Sequence, residues 1–234
     1  MFGFTFCGLH SSEYGTVYKS DTRAILPPIR RSTIQIPRRS GVYDVTGKVW
    51  DERAETITCF ARRMPGYASM KDQVREIACW LSHEGTLIFD DEPDRQYTAR
   101  IVGQTPVEVM PHYAVFTLEI AINPPFAYSK EYVLTGESIA FLNDGTVESP
   151  CVIEFTAPAE SVTLTLQERS CVLSGLAAGQ VVCINSEDFT CTADGANALH
   201  RLSGDFLVIP PKARVVLTAE PACALTLRWR KRWL

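Results

Sequence analysis

The residue types that most often carry chemistry are dispersed along this chain of 234 residues. The four histidines are scattered, and we interpret each as a surface or core residue. The acidic group at positions 90–94 could attract Ca²⁺, but the spacing of an EF-hand is absent and Pro93 favours a solvated hairpin tip. The sequence has no Walker loop, dinucleotide-binding glycine motif, nucleophile elbow or His-Glu-x-x-His. We therefore expect no catalytic residues, no cofactor, no metal and no enzymatic activity.

The cysteines do not form a recognisable framework of disulfides or metal ligands. They contain no Cys-x-x-Cys, and no cysteine pair stands beside a histidine pair at zinc spacing. The chain starts without a charged and apolar leader, and no apolar run reaches membrane-spanning length, so we expect folding in a cytoplasm. In that compartment we expect the cysteines to be small buried residues with free thiols. The cysteines of the chain are Cys7, Cys59, Cys79, Cys151, Cys171, Cys183, Cys191 and Cys223.

Composition and charge indicate a globular protein that does not act mainly on nucleic acid. Hydrophobic residues make up 46% and charged residues 21% of the chain, which disfavours disorder. The net charge is -4, and neither half of the sequence is basic enough to make nucleic acid the main partner.

Apolar and polar residues alternate through most of the sequence, as is typical of half-buried β-strands. In the first half the pattern includes Phe2, Phe4 and Phe6, then Ile34 and Ile36, then the segments 55–61 and 107–122. Asn123-Pro124-Pro125 ends the last of these, because proline removes a ladder donor and restricts the residue before it.

One segment departs from the β pattern. Ser69-x-x-Asp72 has the form of a helix N-cap, and Val74, Ile77, Ala78 and Leu81 follow at helical spacing until Gly85. This spacing predicts an amphipathic helix over 70–83, with Trp80 near the edge of the buried stripe. The segment 87–102 predicts a hairpin directly after it.

The second half predicts short strands only. Nine candidates between Ser138 and Trp229 alternate with turn-rich groups such as Asn143-Asp144-Gly145 and Pro210-Pro211, and no helical period is present. This pattern favours a β-sandwich of jelly-roll or galectin type. We therefore predict two domains, 1–132 with the helix and 136–234 with the sandwich, divided near residues 129–136.

The order of these landmarks resembles that of siphophage distal tail proteins, the Dit family. Segment 4–15 is similar to the family's first strand and Gly-x-x-Ser turn, and segment 36–44 to its Ile-Pro-Gly-Arg-x-Gly element. The remaining similar segments are Trp80-Leu81, 87–97, 116–128, 143–150 and 202–210, so the resemblance covers nearly the whole chain. Arg38 stands where the family usually has glycine, and if that glycine has a positive φ the turn must differ here.

The resemblance implies a mainly β fold and a structural role in the virion. An N-terminal β-barrel or sandwich with one helix and a hairpin would build a hexameric ring, and C-terminal galectin-like sandwiches would lie outside it. The ring would be a hub at the phage tail tip, assembled in the bacterial host cytoplasm, without membrane insertion. It would join the long non-contractile tail tube to a tail-associated fibre, spike or receptor-binding protein while DNA passes through its channel. A free phage and a prophage both fit.

Contacts between subunits or with partners are expected from exposed aromatic residues and basic pairs, namely Phe2, Phe4, Tyr14, Arg30, Arg31, Arg38, Arg39, Arg62 and Arg63. The basic pairs could instead face DNA, but a channel that releases DNA gains nothing from tight phosphate binding. They could also be strand-edge charges that discourage unwanted sheet pairing.

The alternative function is carbohydrate binding by the second domain during adsorption to a host cell-wall saccharide. Sugar sites usually present exposed aromatic residues beside polar groups. The aromatic residues of this domain are Phe141, Phe155, Phe189, Phe206, Trp229 and Trp233. Most of them occupy strand positions expected to face inward, which weakens this alternative.

Overall fold

The computed structural model describes residues 2–19, 23–38, 40–41, 43–45, 47 and 49–234. The fold is mainly β, as predicted, and the chain divides into two compact units, Met1–Ala127 and Tyr128–Trp233. This division lies before the expected boundary, because residues 132–136 form a strand in a sheet of the second unit.

The first unit is a β-barrel with one helix. Its strands are β1 (Phe4–Phe6), β2 (Leu9–His10), β3 (Thr16–Lys19), β4 (Thr33–Ile34), β5 (Tyr43–Asp44), β6 (Arg53–Arg62), β7 (Glu84–Phe89), β8 (Tyr97–Val102), β9 (Val107–Val109) and β10 (Tyr113–Ile122), with a 3-10 helix at Ser11–Tyr14. The sheet order is β2-β1-β7-β8-β10-β6-β3, with β9 against β10. Phe2 and Tyr18 exchange two backbone hydrogen bonds of 3.1 and 2.8 Å, which join the β1 side to β3 and close the barrel.

Strands β6 and β10 pair over ten residues each and form the longest ladder of this barrel. Along β6 the buried residues alternate with exposed ones, so that Ile57, Cys59 and Ala61 point inward. Aromatic residues of β1, β3 and β7 fill the interior from the other side, with Tyr18 and Phe89 at a ring-centroid distance of 5.4 Å. The core of the barrel is therefore formed by every second side chain along its strands.

The helix α1 spans Met70–Leu81 and begins at the predicted cap, where the Ser69 hydroxyl accepts a hydrogen bond from the Asp72 backbone N–H. It ends two residues before the predicted position 83, because Ser82 is the C-cap and β7 begins at Glu84.

The buried stripe of α1 is rotated from the predicted one. Gln73 and Trp80 are buried together with Ile77 and Leu81, whereas Ala78 is exposed. Specific hydrogen bonds explain the rotation. The Gln73 side chain bonds three backbone groups of the barrel, and the Trp80 indole donates to the Phe6 carbonyl at 3.0 Å.

The second unit is a β-sandwich. The strands after β10 are β11 (Ala127–Tyr128), β12 (Tyr132–Gly136), β13 (Ser138–Asn143), β14 (Ser149–Thr156), β15 (Val162–Leu166), β16 (Arg169–Leu173), β17 (Val181–Asn185), β18 (Thr190–Ala193), β19 (Ala196–Asn197), β20 (Leu202–Gly204), β21 (Val208–Ile209), β22 (Ala213–Glu220), β23 (Leu225–Trp229) and β24 (Arg232–Trp233), with a 3-10 helix at Leu199–Arg201.

Two sheets enclose the apolar core of this sandwich. One has the order β12-β23-β14-β17-β18-β19, with β21 against β14, and the other has the order β13-β22-β15-β16-β20. Leu164, Leu217 and Leu227 are fully buried between them. Three of the predicted buried cysteines, Cys151, Cys171 and Cys191, are also buried in this unit; in contrast, Cys7 and Cys79 of the first unit are exposed.

Candidate assembly interface

An extended segment leaves the barrel between β3 and β6. We call the described residues from Arg23 to Asp51 the arm. Strands β4 and β5 pair within it, and the ladder continues towards its base through Arg30 N to Val49 O at 2.9 Å and Asp51 N to Pro28 O at 2.8 Å. The arm is therefore a hairpin whose backbone bonds are largely made to itself.

The arm exposes a row of large apolar side chains. Ile25 is 88% exposed and Leu26 is 59% exposed, and the others in the arm are Ile29, Ile34, Ile36, Val45 and Val49. Single exposed apolar residues are ordinary on protein surfaces, but a concentration of them marks an interaction site. The alternation of Ile34 and Ile36 predicted a half-buried strand. That prediction is wrong for this chain alone, because both side chains are exposed.

One side of the arm's base is fixed by Arg23. Its guanidinium forms ion pairs with Asp91 and, at 3.1 Å, with Glu92, and it lies 4.4 Å from the centroid of the Phe89 ring. The Tyr18 hydroxyl donates to Asp91 at 3.0 Å. Burial and this hydrogen bond raise the pKa of Tyr18 above its ordinary value. The acidic turn predicted to be a solvated tip thus anchors the arm.

A buried ion pair within β6 holds the next residue of the arm, Ala24. Arg53 Nε donates to Glu55 Oε1 at 2.5 Å, and the two side chains are 8% and 1% exposed. Glu55 also accepts from the Ala24 backbone N–H at 3.2 Å, and Arg53 donates to the Ala24 carbonyl at 2.7 Å. Both networks hold the first residues of the arm against the barrel.

The structure distributes the predicted aromatic residues between surface and core. Phe2 is 49% exposed beside Tyr18, and Tyr14 is partly exposed and stacks on Trp80 at 4.7 Å. Burial, followed by the charges of neighbouring groups, raises the pKa of Tyr14. Phe4 is only 1% exposed and stacks on Trp80 at 5.4 Å. The expectation that Phe4 contacts a partner is therefore wrong, because its strand position points it into the barrel.

The predicted basic pairs lie in two places. Arg62 and Arg63 are exposed at the end of β6, where Arg63 donates to the Ala68 carbonyl at 2.9 Å. Arg30, Arg31 and Arg38 are exposed on the arm.

The turn at the end of the arm follows the backbone expected of a glycine, although an arginine occupies it. Arg38 has a φ of 68°, in the left-handed region, so the turn does not have to differ as the glycine-to-arginine change suggested. Arg39 lies outside the described residues.

The sequence interpretation missed the exposed apolar side chains of the arm. The available signal was the density of isoleucine, leucine and valine between positions 25 and 49, interrupted by Pro27, Pro28 and Pro37. Alternation shows that a strand has two different faces, but it does not show which other chain segment covers either face. Among the described residues, no group of three or more metal-binding side chains comes together.

Phe189 is the most exposed aromatic residue of the sandwich. It is 65% exposed and has a φ of 54°, and its ring meets that of Phe206 at 5.4 Å and 87°. In contrast, Phe155 and Trp229 are only 3% and 4% exposed, as their strand positions predicted. A bulky residue in the left-handed region is strained, and such strain is common at functional sites.

Two family models together span most of the chain. Residues 11–122 match the phage tail protein RIFT-related domain. Residues 144–233 match the siphovirus-type tail component, C-terminal domain. The chain belongs to the siphophage distal tail proteins. It is thus a structural tail protein, and membership of this family places it in the virion tail with other tail components.

The fold of this distal tail protein has a solved counterpart. The crystal structure of the Dit protein of phage SPP1, described as a paradigm of the hub adsorption apparatus in phages that infect Gram-positive bacteria, superposes with a TM-score of 0.79. Sequence identity is 14%, and the alignment covers 100% of both chains, so the two proteins share the fold. A search of curated proteins gave no match. Among the described residues, no helix combines the length and apolarity needed to cross a membrane.

Proposed function

We propose that this distal tail protein forms a hexameric ring that connects the tail tube to the host-recognition apparatus and lets DNA pass through its centre. The observation that carries the proposal is the set of exposed apolar side chains on the arm, with Ile25 88% and Leu26 59% exposed. A second copy is the natural partner for these side chains, because a ring repeats one heterologous contact until it closes.

The arm suits this task because its two strands, β4 and β5, are already paired with each other. Its backbone hydrogen bonds are made within the hairpin, and Arg23 and the Arg53–Glu55 pair fix its base. Association of an ordered segment loses less conformational entropy than association of a disordered one. The burial of Ile25 and Leu26 against a neighbour would add about 1.5 to 3 kcal/mol for each side chain.

The test is the mass of the purified chain by light scattering across a concentration series. We expect a species that contains six copies of the 26.1 kDa chain. Replacing Ile25 and Leu26 together by Asp should give smaller species, because a charged carboxylate opposes burial. The matched control is Val181→Asp, which changes a 55% exposed residue of the sandwich and should leave the ring intact. Retention of the hexamer by the arm variant would contradict the role of the arm, and a protein that stays monomeric at all concentrations would contradict self-assembly.

In the virion, one face of this ring would bind the tail tube protein and the other a fibre, spike or receptor-binding protein. The exposed arginines Arg30, Arg31 and Arg38 lie on the same arm as the exposed apolar side chains, so they would stand at the rim of the contact between copies. Purified ring mixed with each tail component should give two distinct binary complexes by co-sedimentation, and competition between the two components for one face would contradict the proposal.

Carbohydrate binding is the second candidate, and Phe189 is the observation that favours it. Its exposed ring has amide and carboxylate groups nearby in sequence, where Asn185 donates to Asp188 at 2.8 Å. Aromatic rings provide an apolar platform for the faces of sugars, with polar groups for the hydroxyls. A glycan array should show signal that Phe189→Ala removes. Equal signal from both proteins, or none from either, would reject this function.

A further inference from the structure

Residues 230–233 follow β23 and lie between two other segments of the sandwich; we call them the strap. The Ser129 backbone N–H donates to the Lys231 carbonyl at 3.1 Å, and the Lys231 N–H donates to the Ser129 hydroxyl at 2.9 Å. The Thr146 N–H donates to the Arg232 carbonyl at 2.9 Å. The strap is therefore hydrogen-bonded both to the start of the second unit and to the turn that follows β13.

Two cations of the strap form ion pairs with turns of the sandwich. Lys231 Nζ lies 2.6 Å from Asp144 Oδ1, and the Arg232 guanidinium forms an ion pair with Glu187. The guanidinium also lies 5.2 Å from the centroid of the Tyr128 ring. The side chains of Lys231 and Arg232 are only 15% and 16% exposed, so solvent screens their charges less than it screens those of fully exposed pairs.

The strap stands apart from the apolar core of the sandwich. The core ends at Trp229, which is 4% exposed, whereas residues 230–233 are exposed or partly exposed. Strand β24, within the strap, belongs to neither of the two large sheets. Segments with few buried apolar contacts open at a lower free energy than the core of the same domain. Opening of the strap would therefore leave both large sheets and their core in place.

The strap also approaches one glycine closely. A Cβ atom at Gly145 would lie 2.8 Å from the Arg232 carbonyl oxygen and 3.2 Å from the Arg232 nitrogen. The φ of Gly145 lies outside the left-handed region, so the backbone itself would accept another residue. Space for the strap, and not backbone conformation, thus requires glycine at this position.

We propose that the strap is a latch on the start of the second unit, held shut by the ion pairs of Lys231 and Arg232 and able to open while the sandwich stays folded. Ser129 is the second residue of that unit, so the latch sets the freedom of the chain that connects the two units. The latch lies within one chain and does not depend on the ring or on sugar binding. Its failure in the tests below would leave both of those proposals untouched.

The first test uses Gly145→Ala in the full chain and measures native-state hydrogen exchange. The added methyl group must displace the strap, so the Ser129 and Thr146 amides should exchange roughly tenfold faster or more, while the amides of β14 and β23 keep their rates. The matched control is Gly136→Ala, where the nearest atom to the new Cβ would be at 3.4 Å, an ordinary contact. Unchanged exchange at Ser129 would overturn the proposal. So would equal acceleration of the β14 amides, because the strap would then open only when the sandwich unfolds.

The second test reverses the charges of one ion pair. Lys231→Glu should accelerate exchange of the Ser129 amide, because it sets two carboxylates side by side at Asp144. Adding Asp144→Lys should slow that exchange again, because the pair is rebuilt with its signs reversed. The recovery should be partial, since Lys231 Nζ also lies 4.8 Å from the centroid of the Tyr132 ring and glutamate cannot replace that contact. A double variant that exchanges as fast as Lys231→Glu, or a Lys231→Glu protein that exchanges like wild type, would refute the latch.

Discussion

Glutamine in place of Glu55 should strongly destabilise the barrel. The Glu55 carboxylate is 1% exposed and balances the Arg53 guanidinium, which is 8% exposed, at 2.5 Å. Glu55→Gln keeps the size of the side chain but leaves a buried cation without its counter-charge. Breaking a buried pair in this way costs about 3 to 5 kcal/mol. Replacing both residues, as Arg53→Met with Glu55→Leu, should cost far less, because apolar residues of similar volume often replace a buried pair with little loss.

Native-state hydrogen exchange of the β10 amides measures the free energy of opening of the barrel, because β10 pairs with β6 along its whole length. Exchange in Glu55→Gln should be faster by about two to three and a half orders of magnitude, since one order corresponds to about 1.4 kcal/mol. The control is Arg75→Gln, which breaks an exposed pair with Asp72 and should leave the exchange rates nearly unchanged, because solvent screens the pair. A loss below about 1 kcal/mol in Glu55→Gln would show that water reaches Arg53 and that the pair does not anchor the arm.

Two further predictions concern titration and thiol reactivity. Because burial raises the pKa of Tyr18 in the folded state, the contribution of Tyr18 to the free energy of unfolding should be fully present below pH 10.0 and should be lost as the pH rises above it, so Tyr18→Phe should reduce the fall in stability at high pH. Equal dependence of the free energy of unfolding on pH above 10, measured by urea titration of wild type and Tyr18→Phe, would contradict the prediction. Burial also raises the pKa of the Cys59 thiol to about 12, so iodoacetamide should modify Cys7 and Cys79 in the folded protein and Cys59 only after unfolding. Mass spectrometry that finds Cys59 modified as fast as Cys7 would contradict it.

The β character and the start of α1 could be predicted because both depend on residues close in sequence. Alternation specifies a strand with two faces, and Ser69 caps the helix through Asp72 three residues later. The buried stripe of α1 was harder to predict. Gln73 donates to the Tyr14 carbonyl, 59 positions away in the chain, and Trp80 donates to the Phe6 carbonyl, 74 positions away. Such partners follow from the tertiary fold and not from local periodicity.

The same reason explains the errors at the candidate interface. Phe2 and Phe4 alternate in the sequence, and the local pattern treats them alike, although β1 begins at Phe4 and Phe2 forms only an isolated bridge with Tyr18. Closure of the barrel separates them, because Phe2 ends at the rim beside Tyr18 while Phe4 lies under Trp80. The error at Ile34 is the opposite one. Its alternation with Ile36 predicts a half-buried strand, but no described segment of the same chain covers its side chain.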